Sequence, residues 1–302
     1  MKTFRNTPLT HLSVLIMLVL MIASCGDKDD DKKEERSPRL NQMIFHYVSD
    51  NPQWDESDTV HFQYNNNNQL FAMSGRATED SISIQYDSEG RISSATFFGD
   101  EVENSTTTYS WSGNKMTMAE IDYADVKVVF EINSEGRVVR TETYFLNLNE
   151  GQWHMVRYML YNWAEGNLVS METWQSYSKS GTHQLRPNHF PFVWPELQRP
   201  ASNSENIVLL KSDFRKDSEV FYTYDNKNNP FRNFQLYRFS EVAYYSSANN
   251  VLSSVTNSFD YSGEIYGSYT FNYSFNYNSE NYPLVRSQSD FDWSITESYF
   301  YE

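Results

Sequence analysis

Residues 84–98 read IQYDSEGRISSATFF and residues 130–145 read FEINSEGRVVRTETYF, so Ser-Glu-Gly-Arg recurs at 88–91 and 134–137 between apolar, alternating flanks. Glycine and asparagine enter the left-handed backbone region at little cost, and short hairpin loops pair a type I turn with one such residue. The phrase is therefore a hairpin turn. Its relatives share an aromatic or aliphatic anchor followed four residues later by Gly or Asn: Tyr64 with Asn68, Tyr86 with Gly90, Tyr109 with Gly113, Ile132 with Gly136, Tyr224 with Asn228 and Tyr277 with Asn281. In YNWAEGNL, Gly166 stands five after Tyr161. The first four anchors, at 64, 86, 109 and 132, are spaced by 22 or 23 residues. That spacing holds two strands of ordinary length with a turn at each end.

Between the turns, apolar and polar residues alternate. Ile82, Ile84 and Tyr86 oppose Ser81, Ser83 and Gln85, and in YTFNYSFNY the aromatic positions 269, 271, 273, 275 and 277 oppose Thr270, Asn272, Ser274 and Asn276. A period of two marks strands with one covered face, and Tyr, Phe, Thr and Val favour extended backbone. No long window has helical spacing. Sequential hairpins without crossover helices predict an all-β protein, an antiparallel meander that is curved or barrel-like. One stretch breaks the rhythm: residues 176–217 carry Pro187, Pro191, Pro195 and Pro200 among His189, Phe190, Phe192 and Trp194. Proline at that density excludes a central strand, and the aromatics predict an ordered cover or plug over the sheet.

The N-terminus addresses the chain. Lys2 and Arg5 precede an apolar run from Leu12 to Ile22 that ends in Ile22-Ala23-Ser24-Cys25. The run is too short to span a bilayer and fits a cleaved signal over residues 1–24. The ending resembles a bacterial lipobox, which implies lipidation of Cys25 and membrane attachment through that lipid. Cys25 is the only cysteine, so no intrachain disulfide forms. Residues 25–40 are charged and without periodicity, as expected of a solvated tether. Their Lys28-Asp29-Asp30-Asp31 run resembles an acidic surface-export signal. The expected place is the outer membrane, lipid-anchored, on its cell-surface or periplasmic face.

Residues 41–302 form the remaining domain and hold 34 acidic against 17 basic side chains. Nucleic-acid binding depends on clustered Lys and Arg, so that excess excludes a phosphate backbone as partner. It predicts a soluble body, since a membrane-spanning barrel needs an outward apolar band.

The tether, the Tyr-Asp-x-x-Gly-Arg turn and YDNKNNPF together resemble an outer-membrane lipoprotein family, domain of unknown function 4595, and the turns resemble tyrosine-aspartate repeats of cell-surface proteins. The resemblance runs from about Asn41 to Glu302. It implies a porin-like fold and no catalytic residues.

Motifs of chemistry are absent: no zinc-protease helix, paired cysteines, phosphate loop or nucleophile elbow. No cofactor and no metal is expected. His183 and His189, spaced by six, could join a metal site, but lone histidines in such loops are more often structural or at the surface. Asp55-Glu56 and Asp100-Glu101 would suit a glycosidase only at a suitable separation in space. Among seven tryptophans, Trp111 and Trp163 sit inside turn phrases and Trp194 in the irregular segment, which makes these three candidate ligand contacts. The expectation is a non-catalytic binding or assembly module for a glycan, peptide or protein. The alternative is an extracellular carbohydrate hydrolase using paired carboxylates.

Overall fold

The computed structural model describes residues 38–49, 55–75, 81–99, 104–120, 126–147, 151–176, 214–232, 234–235, 242–290 and 293–302. The leader at 1–24, Cys25, Trp194, His183, His189, the Asp100-Glu101 pair and the bulk of 176–217 lie outside the described residues. The compact unit Arg39–Glu302 carries sixteen strands among its described residues. They are β1 Leu40–Ser49, β2 Glu56–Tyr64, β3 Leu70–Gly75, β4 Ser81–Tyr86, β5 Ile92–Phe98, β6 Ser105–Ser112, β7 Lys115–Glu120 and β8 Val126–Ile132. There follow β9 Val138–Asn147, β10 Gln152–Ala164, β11 Asn167–Ser176, β12 Phe214–Tyr224, β13 Val251–Phe259, β14 Ile265–Tyr277, β15 Pro283–Ser289 and β16 Trp293–Tyr301. One short helix, α1 Val242–Ser246, lies between β12 and β13.

Each strand pairs antiparallel with its neighbours in sequence, and β1 pairs β16, so the meander closes into a barrel. The seam is sealed at one end by Arg39 and Glu302, whose backbones exchange bonds of 3.2 and 2.9 Å. The sheet thus begins at Leu40, inside the stretch assigned to the tether. At the irregular segment, Ser176 ends β11 and 214–217 open β12, because ladder pairing with β10 and β13 extends both strands.

Alternation sorts the two faces. Val126, Val128, Phe130 and Ile132 of β8 are buried in the barrel, as are Ile82 and Ile84 of β4. Outward positions are polar on β4 (Ser83, Gln85), β6 (Thr108, Ser110, Ser112) and β14 (Thr270, Asn272, Ser274, Asn276).

The recurring phrase works through two devices. The first is its Asx residue. Asp87 Oδ1 accepts the backbone N–H of Glu89 and of Arg91, both at 2.9 Å, and Asn65, Asn133 and Asn278 do the same two and four residues on. The fourth residue of each turn then adopts positive φ: 60° at Asn68, 74° at Gly90, 76° at Gly136 and 64° at Asn281. Gly113 (59°) and Gly166 (87°) close the other two hairpins at this end.

The second device is a ring of clasps. The last aromatic of an even-numbered strand donates a hydrogen bond to a carbonyl at the start of the strand before it: Tyr64 to Leu40 (2.7 Å), Tyr86 to Leu70 (2.6 Å), Trp111 to Ile92 (2.9 Å), Trp163 to Val138 (2.8 Å), Tyr224 to Leu168 (2.6 Å) and Tyr301 to Pro283 (2.7 Å). Burial pushes the Tyr86 phenol up to about 12. Each clasp satisfies a carbonyl and a polar aromatic tip together at the barrel rim.

The connection Asp225–Asn250 departs from the hairpin expected at Tyr224 and Asn228. Asn228 has no positive φ; its N–H donates instead to Asn281 O at 3.0 Å. The connection turns inward and corks the turn end. Phe231, Phe234, Val242, Ala243 and Tyr245 join the barrel core, with Phe234 5.5 Å from Phe62 and Phe231 5.8 Å from Tyr299. Gln235 accepts from Ile92 N (3.2 Å) and donates to Gly90 O (3.1 Å), Asn249 pairs with Asn167, and Ser247 Oγ accepts from Leu168 N at 3.1 Å. A wide barrel cannot fill its end with strand side chains alone, and five apolar residues of this connection supply the missing volume. The sequence reading assigned a plug to 176–217; the described plug is this one.

Candidate functional site

At the end opposite the cork, the β13–β14 hairpin carries the most exposed apolar surface. Its turn repeats the Asx device: Asp260 Oδ1 accepts from Ser262 N (2.8 Å), Ser262 Oγ (2.6 Å) and Glu264 N (3.0 Å), and Gly263 has φ 83°. The Ser262 hydroxyl and then these backbone donors hold the Asp260 carboxyl below its ordinary range. Arg215 of β12 donates to Tyr261 O at 2.6 Å and ties the tip to its neighbour. Tyr261, Ile265, Tyr266 and Tyr269 expose 59, 54, 69 and 62% of their surface. No other large apolar side chain among the described residues exceeds 46%. Tyr266 points outward and Tyr269 to the barrel side, so the hairpin offers aromatic contacts on both faces. The signal for this turn was legible, since DYSGE at 260–264 matches DSEGR at 87–91 in its Asp and Gly positions.

Of the tryptophans expected to meet a ligand, Trp111 and Trp163 stand at the corked end, and Trp194 lies outside the described residues. Trp111 and Trp163 pack against the core, donate to backbone carbonyls as clasps, and are overlaid by Arg91 (5.2 Å) and Arg137 (5.5 Å). Of the carboxylate pairs, Asp55 accepts from Ser49 N at 2.9 Å across the β1–β2 connection, and Glu56 is exposed at the start of β2. The buried carboxylate is Glu297, held by Arg286 at 2.8 Å and by the Tyr299 hydroxyl. Both of its oxygens are thus engaged, Oε1 by Arg286 and Oε2 by Tyr299. Among the described residues no group of three His, Cys, Asp or Glu side chains could hold a metal ion.

No protein-family model matches the chain, and no curated protein is significantly similar to it. The resemblance to the unknown-function family 4595 therefore rests on the tether, the turns and YDNKNNPF alone. Among solved structures, the chain is similar to a porin-like protein from Bacteroides uniformis (TM-score 0.47, 10% identity, 87% of this chain and 98% of that chain covered). It is similar to a porin-like protein from Bacteroides vulgatus (TM-score 0.40, 9% identity, 88 and 99% covered) and to a protein with unknown function from Bacteroides fragilis (TM-score 0.24, 9% identity, 64 and 92% covered). No activity is carried over from any of them.

Proposed function

We propose that the chain is a lipid-anchored lipoprotein of the outer membrane whose barrel is a water-soluble, non-catalytic binding or assembly module, and that the β13–β14 hairpin is its contact element for a protein partner. The anchor rests on the Cys25 lipobox. Solubility is supported by the polar outward faces of β4, β6 and β14, which interrupt the apolar band a spanning barrel would need, and by the acidic excess. The observation that carries the binding role is the concentration of the four most exposed apolar side chains on one rigid turn, since clustered exposed aromatics mark contact surfaces. Their placement on both faces of a strand suits an extended protein segment better than the flat stacking platform a sugar ring requires.

A photo-crosslinking residue at Tyr266, with a second at Thr108 on the paired strand β6 as control, tests this in intact cells. Discrete adducts at 266 and none at 108 are expected. Equal adducts at both positions, or none at 266, would remove the hairpin from the binding role.

A further inference from the structure

The partner class of that hairpin follows from its backbone, on the premise that it is the contact element. Strand β14 changes neighbours along its length. Its Ser268–Thr270 stretch pairs with Asn257–Val255 of β13, whereas β15 pairs only with Tyr273–Tyr277. The β15–β16 hairpin closes early, with Asp290 N donating to Trp293 O at 2.9 Å, so β15 does not run on beside the tip. Ile265–Thr270 therefore overhangs its neighbour, and among the described residues no strand lies along that edge. An overhanging strand presents backbone N–H and C=O groups that another strand can continue.

Proteins blunt such edges with lysine, proline or inward charge. Here Ile265–Tyr277 reads IYGSYTFNYSFNY, thirteen residues without a charge or a proline. The unblunted edge is matched in chemistry by itself. It is neutral in a strongly acidic body, so a second neutral strand meets no local repulsion, and its alternating Tyr, Phe, Ser, Thr and Asn have high strand propensity.

We propose that Tyr266–Thr270 pairs antiparallel with the same residues of a second copy of this chain, joining two barrels through a two-fold axis. An isologous contact uses one patch twice, and continuity of both faces fixes the register parity. The register of matching faces that lies nearest the centre of the overhang pairs Tyr266–Thr270 with its copy, placing Ser268 opposite Ser268, Tyr266 opposite Thr270 on the outer face and Gly267 opposite Tyr269 on the inner. The last pairing sets an aromatic ring against a bare glycine backbone, as the Tyr269 ring already lies within 3.5 Å of a Cβ built on Gly267 in its own chain. Five residues make a small seam, so the dimer is a weak one, and screening of the acidic bodies by added salt raises its population.

The full chain with Cys25 intact is expressed with Ser268→Cys, and membranes are mildly oxidised. A disulfide-linked dimer is expected, absent from the parent chain and from Ser274→Cys on the half of β14 that β15 covers. Adding Thr270→Lys, a charge on the bare edge, lowers the dimer about tenfold, and co-expression with a Tyr266→Glu copy, whose carboxylate stands opposite the introduced lysine in this register, restores it. Far-ultraviolet spectra of the variants, unchanged from the parent, separate this from misfolding. Tyr266 adducts to a different protein with no Ser268→Cys dimer would overturn self-pairing and leave the contact element standing. Loss of both signals would overturn both.

Discussion

Removing the Glu297 carboxylate should destabilise the barrel far more than removing a comparable exposed one. Arg286 and Glu297 face each other across β15 and β16, 2.8 Å apart, with 13% and 3% of their side chains exposed. Burial works against the guanidinium charge, but Glu297 and the surrounding tyrosines outweigh it and drive the net pKa up. The guanidinium lies over Tyr273 (5.2 Å) and over Tyr244 of the cork (5.6 Å), whose hydroxyls bond each other at 2.5 Å. Glu297→Ala leaves that cation buried and takes the acceptor from Tyr299. Breaking one side of a buried pair costs about 3–5 kcal/mol, which for a body of this size lowers Tm by roughly 6–20 °C. The Arg137–Glu135 pair, 2.9 Å apart with 60% of the Glu135 side chain exposed, is the control, and Glu135→Ala should cost about 0–1 kcal/mol. The double variant Arg286→Met/Glu297→Leu should recover most of the loss, because no charge is left unpaired. Urea titration followed by circular dichroism reads all three. A loss under about 1 kcal/mol in Glu297→Ala, or a double variant no better than the single, would refute the buried-pair account.

Asp87 and Asp260 carry depressed pKa values from their turn hydrogen bonds, so the stability they contribute is present above the unfolded carboxyl pKa and is lost as pH falls through the folded one. Asp87→Asn/Asp260→Asn, which installs the residue already used at Asn133 and Asn278, should keep the fold and flatten the acid limb of a pH–stability curve. Gly90→Val should cost about 1–2 kcal/mol from its φ of 74°, plus crowding of Gln69, whose amide nitrogen is 3.2 Å from the added Cβ; Ser88→Ala should cost less in the same melt. Tyr86→Phe deletes one clasp and should cost about 1 kcal/mol, with the Leu70 carbonyl left short of a donor. Cys25→Ser should abolish acyl labelling and leave the precursor uncleaved, read by metabolic labelling and a size shift.

The sequence by itself determined the strands, the turns and the inward face. Each of those is set within about ten residues: alternation chooses which side chains turn inward, and an Asx residue followed by Gly or Asn reverses the chain. It also supplied the charge balance and the lipobox. Closure was beyond it, because β1 and β16 meet across the whole domain and nothing local at Leu40 or Tyr301 names the other. The same limit hid the cork at Asp225–Asn250. YDNKNNPF looks like the other turns up to Asn228, and only the space left inside a closed sheet draws Phe231, Phe234 and Tyr245 into it. The clasps of Trp111 and Trp163 were likewise beyond local reading, because it is the neighbouring strand that puts a carbonyl within reach of each indole. Conversely, the Tyr266 and Tyr269 positions looked like ordinary strand residues. Their exposure depends on where β15 stops, and that is a fact about the neighbour, held in no property of β14's own residues.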